Sequence, residues 1–187
     1  MTSEAQARIA VKAGYNLSSF NAAYAPDVSY SSLNNFNAGL VLSLPLGAHF
    51  NVVSEAVYSG EGASINIGKV NGSYNFQLLN IPVLIKYMTA SRVFLETGPQ
   101  AGFLLGAQIK EDGFSSSNIK GDTKSTEFSW AFGLGYQLAM NLGLDARYNV
   151  GLTDMAKSSV AYNGSSIKNN VLQIGIYYLF SFPQNKN

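Results

Sequence analysis

The chain has 187 residues, 47% of them apolar and only 12% charged, with a net charge of +1 and no cysteine. That balance excludes disulfides and thiolate metal sites and gives no electrostatic basis for binding nucleic acid. A soluble domain carries about twice this share of charge, yet no apolar run approaches the ~20 residues of a membrane helix.

The apolar residues are spread out instead, alternating with a period of two in eight successive runs, which predicts strands. Over 8–18, Ile9, Val11, Ala13, Tyr15 and Leu17 alternate with Lys12, Gly14 and Asn16. Over 35–44, Phe36, Ala38, Leu40, Leu42 and Leu44 form one phase. The third run, 48–59, sets Phe50, Val52, Ala56 and Tyr58 against Asn51 and Glu55, and the fourth, 73–88, sets Leu79, Ile81, Val83, Ile85 and Tyr87 against Asn80 and Lys86. The fifth, 92–109, sets Val93, Leu95, Ala101, Phe103 and Leu105 against Glu96, Gly98, Gln100 and Gly102. The last three, 125–138, 142–154 and 168–180, are the cleanest, carrying Phe128 to Leu138, Leu142 to Leu152 and Leu172 to Phe180 on their apolar phases.

The connectors alternate as well. Short turns are expected near 45–48, 89–91 and 139–141, and longer polar loops near 19–34, 60–72, 110–124 and 155–167. This is the layout of an all-β, eight-stranded antiparallel up-and-down barrel, in one domain over 1–187, with tight turns at one rim.

Such a pattern fits a barrel with apolar residues inside, as in a lipocalin-like soluble carrier, or outside, as in a transmembrane barrel. Strands of ~10–12 residues tilted ~40° span about 25–30 Å, the thickness of membrane hydrocarbon. Tyr58, Tyr87, Tyr136, Tyr148, Tyr178 and Phe180 lie toward strand ends, as interfacial aromatic girdles do. The polar phase is glycine-rich with sparse charge of both signs, which suits a narrow lumen better than a solvated wall. The membrane reading is therefore preferred, with the lipid bilayer of a bacterial outer membrane as the first partner. Eight strands leave an interior that side chains just fill. Lys12, Lys86, Arg92 and Arg147 are expected there with Glu55, Glu96 and Asp145, paired because an unpaired buried charge is costly. Pro82 and Pro99 each remove a ladder donor, which predicts β-bulges.

Four segments carry a family resemblance: Ile9-Ala-Val-Lys-Ala-Gly-Tyr-Asn-Leu-Ser, Leu79-Asn-Ile-Pro-Val-Leu-Ile-Lys-Tyr, Gly98-Pro-Gln-Ala-Gly-Phe-Leu-Leu-Gly and Arg147-Tyr-Asn-Val-Gly-Leu. In this order they resemble the Bacteroidetes-type outer-membrane β-barrel family, the PorT-like group. The resemblance implies an exported eight-stranded outer-membrane barrel and says little about activity. The chain opens without an apolar leader, and Ala5-Gln6-Ala7 looks like the tail of a cleavage site. Outer-membrane barrels usually finish on an aromatic residue, a role left here to Phe180 or Phe182.

Little in the sequence carries chemistry. His49, the only histidine, falls in a short turn, where a surface role is the expectation. Glu96 and Asp145 read as ion-pair partners for Arg147 or Lys86 rather than as a catalytic pair. The run Lys110-Glu111-Asp112-Gly113 and the run Gly121-Asp122-Thr123 offer carboxylates, but their spacing fits no ordered calcium loop. No catalytic, cofactor or metal site is expected. The reading is a non-enzymatic, membrane-embedded scaffold, expected to be a monomer, whose long loops meet a cell-envelope or extracellular protein. The alternatives are a narrow channel for small solutes and, less favoured, a lipid-modifying barrel enzyme.

Overall fold

The computed structural model describes residues 6–22, 29–67, 70–111, 116–138, 141–155, 157 and 167–180. Its strands are β1 (Arg8–Ala22), β2 (Ser29–Pro45), β3 (Phe50–Ile67), β4 (Val70–Met88), β5 (Val93–Glu111), β6 (Ser117–Asn118), β7 (Thr126–Gln137), β8 (Leu142–Gly151) and β9 (Ile167–Phe180). Each long strand pairs antiparallel with its sequence neighbour, and β1 also pairs with β9, from Ile9↔Phe180 to Ala22↔Ile167. The sheet thus closes into a barrel of eight staves; β6 is a short addition paired to β5.

At one rim the connections are tight and share one device. Leu46 N donates to Phe50 O (2.8 Å), Thr89 N to Val93 O (2.9 Å) and Leu138 N to Leu142 O (2.9 Å). β1 begins and β9 ends at this same rim, which in outer-membrane barrels faces the periplasm.

The outward phase is apolar. Leu40, Leu95, Leu134, Phe132, Phe128 and Ile174 are each more than half exposed, an arrangement that only a lipid solvent tolerates over a whole barrel wall. The apolar band has a definite upper edge. On β4 the outward residues Leu79, Ile81, Val83, Ile85 and Tyr87 give way to Gln77, Asn75 and Ser73, and on β5 Phe103 and Leu105 give way to Gln108 and Lys110. The nine residues from Leu79 to Tyr87 match the ~9–11 that a tilted strand needs to cross the hydrocarbon.

β3, β4 and β5, with 18, 19 and 19 residues, continue past that edge, whereas β7 and β8 have 12 and 10. The predicted 60–72 loop is therefore largely a strand pair, with register kept from Phe50↔Tyr87 to Ile67↔Val70. β1 and β2 likewise run into the predicted 19–34 loop. The extra length raises a wall above the membrane whose longest strands are β3–β5, with β2 paired to β3 from Ser29↔Asn66 to Ser32↔Ala63. Its inner face carries a small core of Phe76, Leu78, Leu104, Ala107 and Met155, flanked by Phe20, Tyr74 and Ile119. The segment after β6 folds back onto this core, through Ile119 N to Ala107 O (3.1 Å) and Leu104 N to Ser125 O (2.8 Å).

The prolines behave differently from expectation. The β5–β7 register runs unbroken through Pro99↔Trp130, and the β4–β5 register is the same at Pro82↔Gln100 and at Ile85↔Thr97. Between those two pairs the β4–β5 ladder is interrupted at Pro99, and the β3–β4 ladder is interrupted at Pro82 between Ser54↔Val83 and Val57↔Asn80; register is kept across both gaps, so no extra residue is needed. The irregularities lie elsewhere, between Ser32 and Asn37 and between Gln77 and Leu78.

Candidate functional site

The inward phase of the strands fills the lumen in layers. An apolar cluster of Ala10, Val41, Val53, Leu84, Phe94, Ala131 and Tyr177 runs inward from the short-turn rim, with Leu84 and Ala131 one inward position beyond Lys86, Glu96 and Gly133. Charged residues stand beside it. Arg147, on β8, donates from Nη2 to Glu55 Oε1 (2.7 Å) and Glu96 Oε1 (2.6 Å), from Nη1 to Glu55 Oε2 (2.9 Å) and from Nε to Glu96 Oε1 (3.0 Å). Lys12 Nζ bridges Glu55 and Asp145, at 3.4 Å from each. Lys86 Nζ pairs with Glu96 Oε2 at 3.1 Å and lies 4.0 Å from the centre of the Phe94 ring. All six side chains are at most 13% exposed. Gly133 makes room for this layer, since a Cβ there would press on Glu96 Cγ (2.7 Å).

A cavity of about 130 Å³ opens toward the short-turn rim and is lined by Arg8, Lys12, Asn51, Lys86 and Tyr177 as well as Glu55, Glu96 and Arg147. The ion-paired side chains meet across the lumen behind it.

Farther from that rim the lumen is lined by amides and hydroxyls. Asn16 Nδ2 donates to Ser59 Oγ (2.8 Å) and Gly60 O (2.9 Å), and Asn37 Nδ2 to Asn16 Oδ1 (2.6 Å). Asn80 Nδ2 donates to Glu61 Oε1 (2.8 Å), and Asn169 Nδ2 to Glu61 Oε2. Ser18, Gln100, Glu127, Ser129, Asn149 and Gln173 belong to the same buried polar lining. The wall's apolar core lies above it, with Leu78↔Leu104 the next inward rung after Asn80↔Gly102.

Of the residues expected in the lumen, Lys12, Glu55, Lys86, Glu96, Asp145 and Arg147 are brought together there. Arg92 is not. It lies in the β4–β5 turn with φ 67°, is exposed, and its Nη1 donates to Leu138 O (3.1 Å) in the next turn. The four-residue turn begins before the strand does, so the side chain never enters the inward phase. Asp145 pairs with Lys12 rather than with Arg147. Glu61 and Glu127 are inward residues that the sequence reading did not single out. The signal for Glu61 was the unbroken inward series Val53, Glu55, Val57, Ser59, Glu61, Ala63, Ile65, which crosses Gly60 and Gly62.

Of the girdle residues, Tyr87, Tyr136, Tyr178 and Phe180 stand at the short-turn rim, 39–46% exposed. Tyr148 is deeper along β8, and Tyr58 is half-buried against Phe36, ring centres 5.8 Å apart. Trp130 faces the lipid with its indole satisfied, Nε1 donating to Thr97 Oγ1 (2.9 Å), which donates to Ala131 O (2.9 Å). His49 is exposed, its Nδ1 3.0 Å from Met88 O. Asp112, Gly113 and Phe182 lie outside the described residues. Among those described, no three or more His, Asp or Glu side chains gather as a metal cluster.

A closed barrel with a lipid-facing apolar wall and an ion-paired interior defines a membrane β-barrel protein. The chain belongs to the outer membrane protein β-barrel domain family, whose model matches residues 3–157, and is a protein of the bacterial outer membrane. No curated protein matches it. Solved structures similar to it include the Neisserial surface protein A (14% identity, 92% of this chain and 97% of that one, TM-score 0.57). A second is the attachment invasion locus protein Ail of Yersinia pestis, in complex with the heparin analogue sucrose octasulfate (15%, 94% and 99%, 0.53). A third is the outer membrane protein OprG of Pseudomonas aeruginosa (12%, 95% and 98%, 0.51). At these identities the likeness is one of fold.

Proposed function

We propose that the protein is a non-enzymatic outer-membrane scaffold that presents the β3–β5 wall to a cell-envelope or extracellular protein. The observation that carries this reading is the wall itself, a strand platform with its own apolar core standing above the lipid band. About eight residues of extra strand, at ~3.3 Å each and tilted ~40°, lift its tip by roughly 20 Å. Its outward face is polar, with Ser64, Ser73, Gln77, Gln108 and Lys110, and so is suited to water and to a partner rather than to lipid. The lumen supports the same reading, because Arg147 and its carboxylates occupy the cross-section that a solute would use. His49 Nδ1 stands 3.0 Å from the backbone carbonyl of Met88 at the short-turn rim, which supports a structural role. The four ordered segments quoted above support assigning the chain to the PorT-like group of Bacteroidetes barrels.

The test is single-channel recording in planar bilayers, using protein shown to be folded by its heat-modifiable migration. Silence is the expected result. Steady currents that change with Arg147→Ala would overturn the scaffold reading in favour of a narrow channel for small solutes.

A further inference from the structure

Two carboxylates in the amide-lined part of the lumen are left without a cation. The charged layer is balanced within itself, with Lys12, Lys86 and Arg147 against Glu55, Glu96 and Asp145, and each cation is engaged there. Glu61 and Glu127 stand outside it, 1% and 7% exposed, and no described Lys or Arg pairs with either. Asn80 and Asn169 donate to Glu61, but a carboxylate buried without a counter-charge still costs several kcal/mol.

The geometry around them points to what compensates. Asn80, Gly102 and Glu127 are consecutive across β4, β5 and β7 in the register Asn80↔Gly102↔Glu127. Gly102 brings its two neighbours to one point. The place where a Cβ would stand is 2.8 Å from Asn80 Oδ1 and 3.1 Å from Glu127 Oε1. Two acceptor oxygens therefore border one point beside Gly102. Asn80 is 1% exposed, and its Oδ1 has no hydrogen-bond partner although its Nδ2 is held by Glu61. Asn169 Oδ1, Ser129 Oγ and both Nδ2 and Oδ1 of Asn149 are likewise buried without partners in the same layer. Carboxylate, amide and hydroxyl oxygens, without nitrogen or sulfur donors, are the ligand set of a hard divalent cation.

We propose that the lumen holds a calcium-type divalent cation beside Gly102, bound by Glu127 and the Asn80 carbonyl oxygen, with Glu61 supplying the second negative charge. The ion ties β4, β5 and β7 together just beneath the apolar core of the raised wall. Because that core covers it, the ion enters during folding and exchanges slowly afterwards.

The experiment refolds the full chain in detergent with calcium, removes external metal with EDTA, and measures bound calcium and the infrared carboxylate bands. Wild type is expected to retain calcium and to show metal-shifted carboxylate bands. Glu127→Gln, folded by its heat-modifiable migration, is expected to lose affinity about tenfold or more. Gly102→Ala, which removes no charge, is expected to lose it as well. Asp122→Asn, in the external segment, is expected to behave as wild type. Wild type without calcium, or with a protonated-carboxyl band in its place, overturns the proposal. So does retention by Glu127→Gln, or loss confined to Asp122→Asn. The infrared readout on wild type stands even if a variant fails to fold.

Discussion

Arg147 places two nitrogens, Nε at 3.0 Å and Nη2 at 2.6 Å, on a single oxygen of Glu96, whose other oxygen is left for Lys86. This division lets one carboxylate serve two cations from different strands. Arg147→Ala removes one cation and strands Glu55 and Glu96 together in a buried layer. The loss is expected to be about 3–5 kcal/mol, the cost of breaking a buried pair from one side. Arg147→Lys keeps the charge but cannot reproduce the fork, and is expected to fall between. Urea titration in lipid vesicles, followed by the fluorescence of Trp130, the only tryptophan, measures both. A change within 0.5 kcal/mol for Arg147→Ala (about the size of a neutral surface substitution) would contradict the network's role in stability.

Lys12 couples β1 to β3 and β8 by standing between Glu55 and Asp145. Lys12→Met and Asp145→Asn are each expected to destabilise, since each leaves a partner uncompensated. The double variant is expected to lose less than the sum of the two, with a coupling of about 0.5–3 kcal/mol. Strict additivity in the same titration would mean that the 3.4 Å contacts carry no energy.

Much of this was legible in the sequence. Inside the lipid band the rule is simple, apolar out and small or polar in, so residues such as Leu134 and Arg147 declare their sides. Above the band the solvent changes and the rule inverts. There Tyr74, Phe76 and Leu78 point inward while Ser73, Asn75 and Gln77 point outward. The switch occurs near the β4–β5 irregularity, where Gln77 and Leu78 fall in different registers. Read with one phase throughout, such a stretch looks aperiodic, which is why 60–72 reads as a loop and Glu61 as a loop residue. Arg92 was misplaced for a more local reason. The turn's hydrogen bond from Thr89 N to Val93 O includes it, and its left-handed φ is a property of that turn. The proposed cation ligands could not be read at all, because Asn80 and Glu127 meet only through the register across Gly102.

The Trp130–Thr97 hydrogen bond is an isolated polar contact on the lipid face, where water offers no replacement. Thr97→Val keeps the shape but leaves the indole N–H without its acceptor. A cost of about 1 kcal/mol is expected, the size of a typical net hydrogen bond and of such bonds in membranes. Trp130→Phe removes the donor too and is expected to cost less than Thr97→Val at the hydrogen bond itself. Because Trp130→Phe also removes the fluorophore, the set is compared by heat-modifiable migration against urea. Equal stability of wild type and Thr97→Val would show the contact to be incidental.

The band edge between Leu79 and Gln77, and between Leu105 and Gln108, makes a depth-resolved prediction. Leu134 is 58% exposed on β7 within the apolar band, and Leu134→Arg places a cation in the hydrocarbon. Its expected cost is about 2–4 kcal/mol, against about 0–1 for Tyr136→Arg nearer the short-turn rim. Gln108→Arg and Gln77→Arg, on the outward face of the raised wall, are expected to be neutral although they too sit within strands. All four are measured by urea titration in vesicles. A penalty at Gln77 or Gln108 comparable to that at Leu134 would place the wall within the bilayer and remove the platform on which the scaffold reading rests. A graded series, large at Leu134, small at Tyr136 and absent above the edge, would locate the membrane at the point where the outward phase turns polar.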